Sequence, residues 1–209
     1  MKDPQRQIQT LFRQAKKRPV AHNLVRMTLQ VAVMWGVFLF VIPQLVIKLQ
    51  TAMGVPFFEP GLWRWVAIVL FIAFGLVGFS CGLIFVIYGE GTPLPLDSTT
   101  RLVVIGPYRI VRNPMAVLGV GQGVMVGIGL GSWPVVLYSL LGIWAWNVLA
   151  KPAEERDLSE RFGVTYEDYC RSVPLWIPST RPYPRIPSLT ETENSTDFSD
   201  QIEAPGHKD

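Results

Sequence analysis

The hydrophobic residues of this chain fall into long runs that polar residues seldom interrupt. Residues 65–88 and 113–150 contain no charged residue, and residues 27–47 form a further run broken only by a few uncharged polar positions and a proline. A helix needs about 20 apolar residues to cross the hydrocarbon core of a bilayer. Each run is therefore long enough for at least one membrane-spanning helix.

The run 113–150 is too long for a single crossing at about 1.5 Å per residue. It contains the stretch GLGSWP at residues 129–134, where glycine and proline favour a turn. The run therefore predicts two short helices in a tight hairpin. The fold class we expect is an all-α integral membrane protein with about four transmembrane helices, including a C-terminal helical hairpin, followed by a cytoplasmic C-terminal helix.

Composition agrees with this class and divides the chain into three parts. Of its 209 residues, 49% are hydrophobic and only 17% are charged. We expect a basic cytoplasmic N-terminus at residues 1–26 and a membrane domain at residues 27–178. Residues 179–209 are rich in Pro, Ser, Thr and acidic side chains, and this low apolar content predicts a disordered tail.

Charge asymmetry predicts the orientation. The first 26 residues carry seven Lys or Arg against the single Asp3, and the positive-inside rule assigns such a segment to the cytoplasm. Four crossings return the C-terminus to the same side. The polar segment 89–112, with Arg101, Arg109 and Arg112, would face the cytoplasm too. A bacterial inner membrane or the endoplasmic reticulum would suit this topology.

The glycines of GVGQGVMVGIGLG resemble a dinucleotide-binding fingerprint, but that motif requires a soluble βαβ unit. Small residues repeated every four positions instead let membrane helices approach closely, and we favour this interpretation. The glycines concerned are Gly119, Gly123, Gly127 and Gly131, with a weaker face at Gly75, Gly78 and Gly82.

Other binding motifs are absent from the sequence. The stretch GEGTP is not followed by Lys and Ser/Thr at the Walker spacing, so we interpret it as a turn. His22 and His207 lie near opposite ends, and Cys81 and Cys170 lie in different environments. We therefore predict no metal site and no disulfide. No nucleic-acid partner is predicted.

Two polar clusters flank the hairpin: GPYRIVRNP at residues 106–114 and KPAEERDLSERFGVTYEDYC at residues 151–170. Because the hairpin returns the chain, both should emerge on the same side and close together. The second cluster predicts a helix that begins near Glu154 and Glu155. Its apolar stripe would be Leu158, Phe162, Tyr166 and Tyr169.

Each cluster also has a purely structural explanation. Arginines at a membrane boundary often set orientation, and acidic residues in the first turn of a helix stabilise its dipole by about 0.3–1 kcal/mol. Taken together, however, Arg and Glu side chains would converge beside a Gly- and Pro-rich loop. Such an arrangement suits a zwitterionic, nucleoside-containing cofactor next to a lipid-like substrate.

The ordered pattern GxGTPxP…LVVxGPYRxVRNPM, then a hairpin, then EExxLxxRFGxxYxxYxxxVPxWIP, spans residues 89–178. It resembles the membrane methyltransferases of the isoprenylcysteine carboxyl methyltransferase and phospholipid methyltransferase superfamily. The resemblance implies S-adenosylmethionine as cofactor, without the soluble Rossmann methyltransferase fold. The cofactor pocket would be formed by the loop, the hairpin ends and the C-terminal helix.

The resemblance also implies a set of cofactor-binding residues. These are Leu102 and Val103 beside the adenine, Gly106, Pro107 and Tyr108 in the pocket wall, Asn113 and Pro114 at the junction with the substrate, and Glu154 and Glu155 at the polar end of the cofactor. Arg112, with Arg109 as second choice, is the predicted catalytic residue that would hold an acceptor carboxylate in line. Ala116 stands where relatives often have Tyr, which widens the choice of substrate.

Several acceptors remain open at this stage. Carboxyl methylation of a prenylated cysteine or a related lipophilic acid needs no general base and is the first hypothesis. N-methylation of an aminolipid needs a base, for which Glu154, Glu155 or Tyr108 would serve. A small thiol is a further alternative, and a non-catalytic membrane binding protein is an alternative of another class. The expected partners are a lipophilic or prenylated substrate and membrane lipid.

Overall fold

A computed structural model describes residues 20–89 and 101–184 of the chain. The basic segment before Val20, most of the GEGTP stretch and the acidic tail from residue 185 lie outside the described residues. His207 also lies outside the described residues. Within the described residues, every regular element is helical, which confirms the all-α class.

The helices are α1 (Val20–Ala52), α2 (Trp63–Tyr88), α3 (Pro114–Leu130) and α4 (Trp133–Ser172). By length and composition α1, α2 and α4 are able to cross a membrane. At 17 residues α3 is at the short end of what can span. The chain is thus an integral membrane protein with the expected apolar segments. Many large hydrophobic side chains on these helices are exposed, as helices facing lipid require.

Helix α1 (Val20–Ala52) contains the predicted apolar run of residues 27–47 and extends beyond it at both ends. Its first turns include the polar residues Asn23, Arg26 and Gln30. Asn23 and Met27, one turn apart, are buried. The Met27 sulfur packs closely on Gly82 of α2, because a Cβ added to Gly82 would lie only 3.0 Å from it. Burial of this face against α2 explains why the helix extends through polar sequence.

The predicted hairpin is present, with its turn between Leu130 and Trp133. A Cβ on Gly123 would come within 2.5 Å of the Ser139 hydroxyl, and one on Gly127 within 2.6 Å of a Val136 methyl group. These glycines bring α3 and α4 into close contact, as the four-residue spacing predicted. Gly131 is different: it adopts φ +68° and caps α3 from outside the helix, so it is not part of the glycine face.

The turn end of the hairpin packs against the segment between α1 and α2. The Ser132 hydroxyl donates to Gln50 Oε1 at 2.5 Å, and Gln50 Nε2 donates to the Pro56 carbonyl at 3.1 Å. The Phe58 N–H donates to the Gly131 carbonyl at 2.9 Å. We call this region the closed end, defined by Gln50, Pro56, Phe58, Gly131 and Ser132.

The expected C-terminal helix, Lys151–Ser172, is continuous with the apolar part of α4. A π-helical turn at Trp146–Ala150 joins them, and the Lys151 N–H bonds to the Trp146 carbonyl. There is therefore no free helix N-terminus at Glu154. The dipole explanation for the acidic pair loses its basis, because it requires unsatisfied N–H groups in that turn.

Candidate functional site

The site lies at the other end of the hairpin, where the loop before α3 meets the polar half of α4. The loop runs through buried extended residues into a 3₁₀ turn at Gly106–Arg109. Gly106 has φ +56°, and a Cβ there would lie 3.0 Å from the Ile84 side chain. A positive φ and this close approach both favour glycine. Pro107 follows at the start of the turn, where its fixed φ is suitable.

Tyr108 anchors this turn to the helices on both sides. Its side chain is 4% exposed and packs on the Phe85 ring with centroids 5.0 Å apart. Its hydroxyl lies 3.5 Å from the Cys81 carbonyl, and its own carbonyl accepts a 2.6 Å hydrogen bond from the Tyr169 hydroxyl. Burial raises the pKa of Tyr108 well above its usual value. Tyr108 is therefore a neutral phenol, which argues against its use as a general base.

A C-terminal strap, residues 173–183, lies across the same loop. The Arg112 N–H donates to the Pro174 carbonyl at 2.9 Å, and the Ser179 N–H donates to the Ile110 carbonyl at 2.7 Å. These backbone hydrogen bonds hold the loop between the strap and the helices.

Arg109 binds this strap. Its Nε donates to the Tyr183 carbonyl at 2.6 Å, while the Tyr183 N–H donates to the Arg109 carbonyl at 2.8 Å. The Tyr183 hydroxyl in turn donates to Asp168 at 3.0 Å. Arg109 and Arg112 thus face different partners, because the helix that would have put them on one face ends at Arg109. These contacts indicate that Arg109 has a structural role, which is to hold the strap against the loop.

Arg112 points to the polar half of α4. Its Nη1 lies 2.9 Å from Glu155 Oε1 and 2.9 Å from the Cys170 sulfur. Lys151 lies 3.8 Å from the other oxygen of Glu155. The Arg112 side chain is 15% exposed, and its Nε is buried with no hydrogen-bond partner among the described residues. The structure therefore brings Arg112 and Glu155 together and leaves one guanidinium N–H available.

Glu154 differs from its neighbour. Within the part of the chain that the structure describes, no Lys or Arg lies within salt-bridge distance of Glu154. Burial, together with the adjacent Glu155 carboxylate, raises the pKa of Glu154 to about 7. The site thus contains one compensated carboxylate and one that would be stabilised by a cation.

The other predicted site residues have clear structural surroundings. Asn113 caps α3, because its side-chain oxygen accepts the Ala116 N–H at 3.1 Å, and Pro114 is the first residue of that helix. Leu102 packs in the apolar cluster of the α4 stripe and the strap, whereas Val103 packs beside Tyr108. These contacts give each of the four residues a packing or capping partner within the loop and its flanking helices.

Cys170 and Tyr183 contact the predicted arginines but were not predicted from the sequence. No local pattern distinguishes them, since both contacts depend on how α4 and the strap pack. Cys170 lies one turn after Tyr166 and packs against the predicted apolar stripe of α4, and that stripe is confirmed.

Comparison with known proteins gives two matches. A family model described as phospholipid methyltransferase matches residues 49–165, more than half of the chain. Methanethiol S-methyltransferase 2 of Bradyrhizobium diazoefficiens is 36% identical over 78 residues, which are 34% of this chain and 26% of that protein. The chain thus matches about a quarter of the length of this relative. No solved structure matches the chain.

Proposed function

The chain belongs to the phospholipid methyltransferase family, and we propose that it transfers a methyl group from S-adenosylmethionine to a lipophilic acceptor at the membrane edge. The observation that carries this proposal is the meeting of Arg112, Glu154 and Glu155 beside the loop turn Gly106–Arg109. Anchoring alone does not explain Glu154, whose pKa is raised and which has no Lys or Arg within salt-bridge distance among the described residues.

The side chains present fit the proposed cofactor. S-adenosylmethionine supplies an electrophilic methyl group on a sulfonium, and it also carries an ammonium group. Glu154 is the carboxylate that would hold this ammonium, because a half-buried carboxylate with a raised pKa is stabilised by a neighbouring cation. The backbone turn of Gly106 and Pro107, with Leu102 and Val103 behind it, would form the wall for the nucleoside.

The acid–base character of the site favours an acceptor that is already an anion. Tyr108 stays a neutral phenol, and Glu155 is paired with both Arg112 and Lys151. If Glu154 holds the cofactor, none of the three residues considered as a base is left to deprotonate an ammonium. This supports a lipophilic acid such as an isoprenylcysteine carboxylate over an aminolipid.

A small thiol is the second candidate acceptor. It is favoured by the name of the relative from Bradyrhizobium, a methanethiol methyltransferase. A few per cent of a free thiol is already thiolate near pH 7 and is strongly nucleophilic. A thiol therefore also reacts without a dedicated base. For either acceptor, Arg112 is the residue that would hold the negative charge close to the methyl group, where alignment contributes about 7–11 kcal/mol to catalysis.

We assign the site to the cytoplasmic surface. Arg101, Arg109, Arg112 and Lys151 all lie at the end of the hairpin away from its turn, and an excess of Lys and Arg is typical of cytoplasmic loops. An amphiphilic acceptor would reach the site from the surrounding lipid.

Methyl-labelled S-adenosylmethionine offered with competing acceptors tests this function. Purified full-length protein would receive a farnesylated cysteine, a small thiol and phosphatidylethanolamine in one mixture. We expect base-labile label on the first or a labelled thioether from the second, and loss of labelling in Arg112→Ala. Label on phosphatidylethanolamine alone would contradict the anionic acceptor, and no transfer to any acceptor would contradict the enzyme.

A further inference from the structure

The end of the hairpin next to Arg112 is called its mouth. The packing of α3 on α4 shows which residues face each other just inside it. Going from the turn to the mouth, Gly127 meets Val136, Gly123 meets Ser139, and the side chain of Val120 lies near Gly142. The sum of the two residue numbers stays nearly constant along these pairs. The same register pairs Ala116 with Trp146.

Ala116 and Trp146 also lie on the facing sides of the two helices. Each is seven residues, or two turns, from the close contact of Gly123 with Ser139. Residues seven apart share a helix face, and seven residues correspond to about 10 Å along the axis. A methyl group therefore stands opposite a large indole, about one turn inside the membrane from Asn113.

Trp146 has an unusual polar atom for this position. Its Nε1 is buried and has no hydrogen-bond partner among the described residues. The residue also begins the π-helical turn Trp146–Ala150, and such turns occur frequently at functional sites. Leaving a buried N–H unpaired costs free energy, so a bound group that accepts a hydrogen bond would stabilise this end of the hairpin.

A second unpaired donor lies at the same mouth. The Arg112 Nε is buried and without a partner among the described residues, although its Nη1 binds Glu155 and Cys170. The mouth thus offers two N–H groups, one from the loop and one from α4.

We propose that Trp146, opposite the small side chain of Ala116, binds the methyl acceptor and that its indole N–H selects an anionic nucleophile, either a thiolate or a carboxylate. This inference rests on the proposed methyl transfer and names the class of acceptor that the same site would accept. Trp146 lies outside the polar clusters from which the catalytic and cofactor residues were predicted, so it adds a specificity-determining residue to them.

The chemistry of the nucleophile explains the selection. A thiolate or carboxylate has several lone pairs, so one can accept the Trp146 N–H while another attacks carbon. A neutral amine has a single lone pair, which an N–H donor would occupy. In the transfer a new S–C or O–C bond forms as the bond from carbon to the sulfonium breaks, and that electron pair remains on the cofactor sulfur. No proton moves, because the acceptor enters as an anion.

The test compares Trp146→Phe with Trp144→Phe in the full-length protein, using octanethiol, octanoate and octylamine as separate acceptors. Phe keeps most of the ring and removes the N–H. Trp144 is the matched control because it lies on the same helix and is 64% exposed. We expect Trp146→Phe to raise KM for octanethiol or octanoate by about tenfold, the loss of one hydrogen bond to a charged group. Trp144→Phe should leave KM unchanged.

Two further measurements separate the possible failures. Titration with S-adenosylmethionine should give the same Kd for both tryptophan variants, so a loss of cofactor binding in Trp146→Phe alone would overturn the acceptor role. Ala116→Leu adds bulk opposite Trp146 and should raise KM for the acceptor without altering this Kd. Equal KM values in both tryptophan variants, or a preference for octylamine, would overturn the proposal. A wild-type protein that binds no cofactor and methylates no acceptor would instead overturn the proposed function itself.

Discussion

The two ends of the α3–α4 hairpin differ in whether their buried polar atoms have hydrogen-bond partners. At the closed end, Gln50 uses both its amide oxygen and its amide nitrogen, and Ser132 both donates and accepts. At the mouth, the Arg112 Nε and the Trp146 Nε1 have no partner among the described residues, and Glu154 has a raised pKa. Both ends belong to the same pair of tightly packed helices.

We interpret this difference as one between polar residues that stabilise the fold and polar residues that would contact a ligand. Satisfied buried groups add rigidity, whereas unsatisfied ones carry a cost that folding alone does not repay. The closed end therefore accounts for how the hairpin is fixed. The cofactor and the methyl acceptor would bind at the mouth. Changes at the closed end should alter stability alone, and changes at the mouth should alter binding.

The largest expected effect is on stability, from Gly131→Ala at the closed end. Gly131 has φ +68°, and a Cβ there would overlap the Phe58 carbonyl oxygen. We expect a loss of about 3 kcal/mol in the free energy of unfolding, measured by thermal unfolding in detergent. Gly54→Ala is the matched control, because Gly54 also has φ +68° but no atom within 4 Å of a Cβ. Equal destabilisation of the two variants would show that the contact with Phe58 is unimportant.

The next effect belongs to the mouth. Glu154→Gln removes the carboxylate that we assign to the cofactor ammonium, and a charged hydrogen bond contributes about 1.5–3 kcal/mol. Titration should show a Kd for S-adenosylmethionine at least about tenfold weaker. Glu160→Gln, an exposed position on the same helix, should bind as the wild type does. An unchanged Kd in Glu154→Gln would remove this residue from the cofactor site.

The pH dependence of binding follows from the same carboxylate. The pKa of Glu154 is raised from 4.5 to about 7, so the folded protein keeps this proton up to a higher pH than the unfolded chain does. Its contribution to stability is present below pH 4.5 and is lost as pH rises through 7. Cofactor binding requires the ionised form, so the affinity should rise about tenfold from pH 6 to pH 8. A flat profile in the wild type, equal to that of Glu154→Gln, would contradict the assignment.

The smallest effect is expected from Ser132→Ala at the closed end. It removes the hydrogen bond to Gln50 and the cap on the Val135 N–H, which should cost about 1–2 kcal/mol of stability. Cofactor affinity should not change, because the residue lies at the far end of the hairpin. Ser80→Ala is the control, since that hydroxyl is exposed and bonds only within its own helix. A weaker Kd for S-adenosylmethionine in Ser132→Ala would break the distinction between the two ends.

The hairpin, its turn and the meeting of the two polar clusters were predictable from the sequence, whereas most of the individual contacts at the two ends were not. The apolar runs, the turn near Gly131 and the four-residue glycine spacing predicted the hairpin, because these patterns depend on local geometry and bilayer thickness. The apolar run 27–47 did not show how far α1 extends, because its first turns are polar in sequence and Asn23 is buried only in the folded protein. Gly131 also matched the glycine spacing, yet its positive φ puts it outside the helix.

The missing parts of the mouth depend on contacts between distant segments. The strap places the Tyr183 carbonyl on Arg109, and nothing in the sequence near either residue indicates this pairing. The apolar run around Trp146 likewise gives no indication that its indole N–H lacks a hydrogen-bond partner in the described part of the chain. The convergence of the arginine and glutamate clusters was expected from topology, but which glutamate pairs with Arg112 was not.

Direct titration of the detergent-purified protein with S-adenosylmethionine tests the central claim, which is that the mouth of the hairpin is a cofactor site. We predict that the wild type binds at submillimolar concentration and that Arg112→Ala binds at least about tenfold more weakly, because the Glu155 carboxylate at the proposed polar end of the cofactor then loses the ion pair that positions it. Arg171→Ala, which changes an exposed arginine on the helix that carries Glu155, should bind normally. No binding by the wild type at millimolar cofactor, or equal binding by Arg112→Ala, would contradict the account.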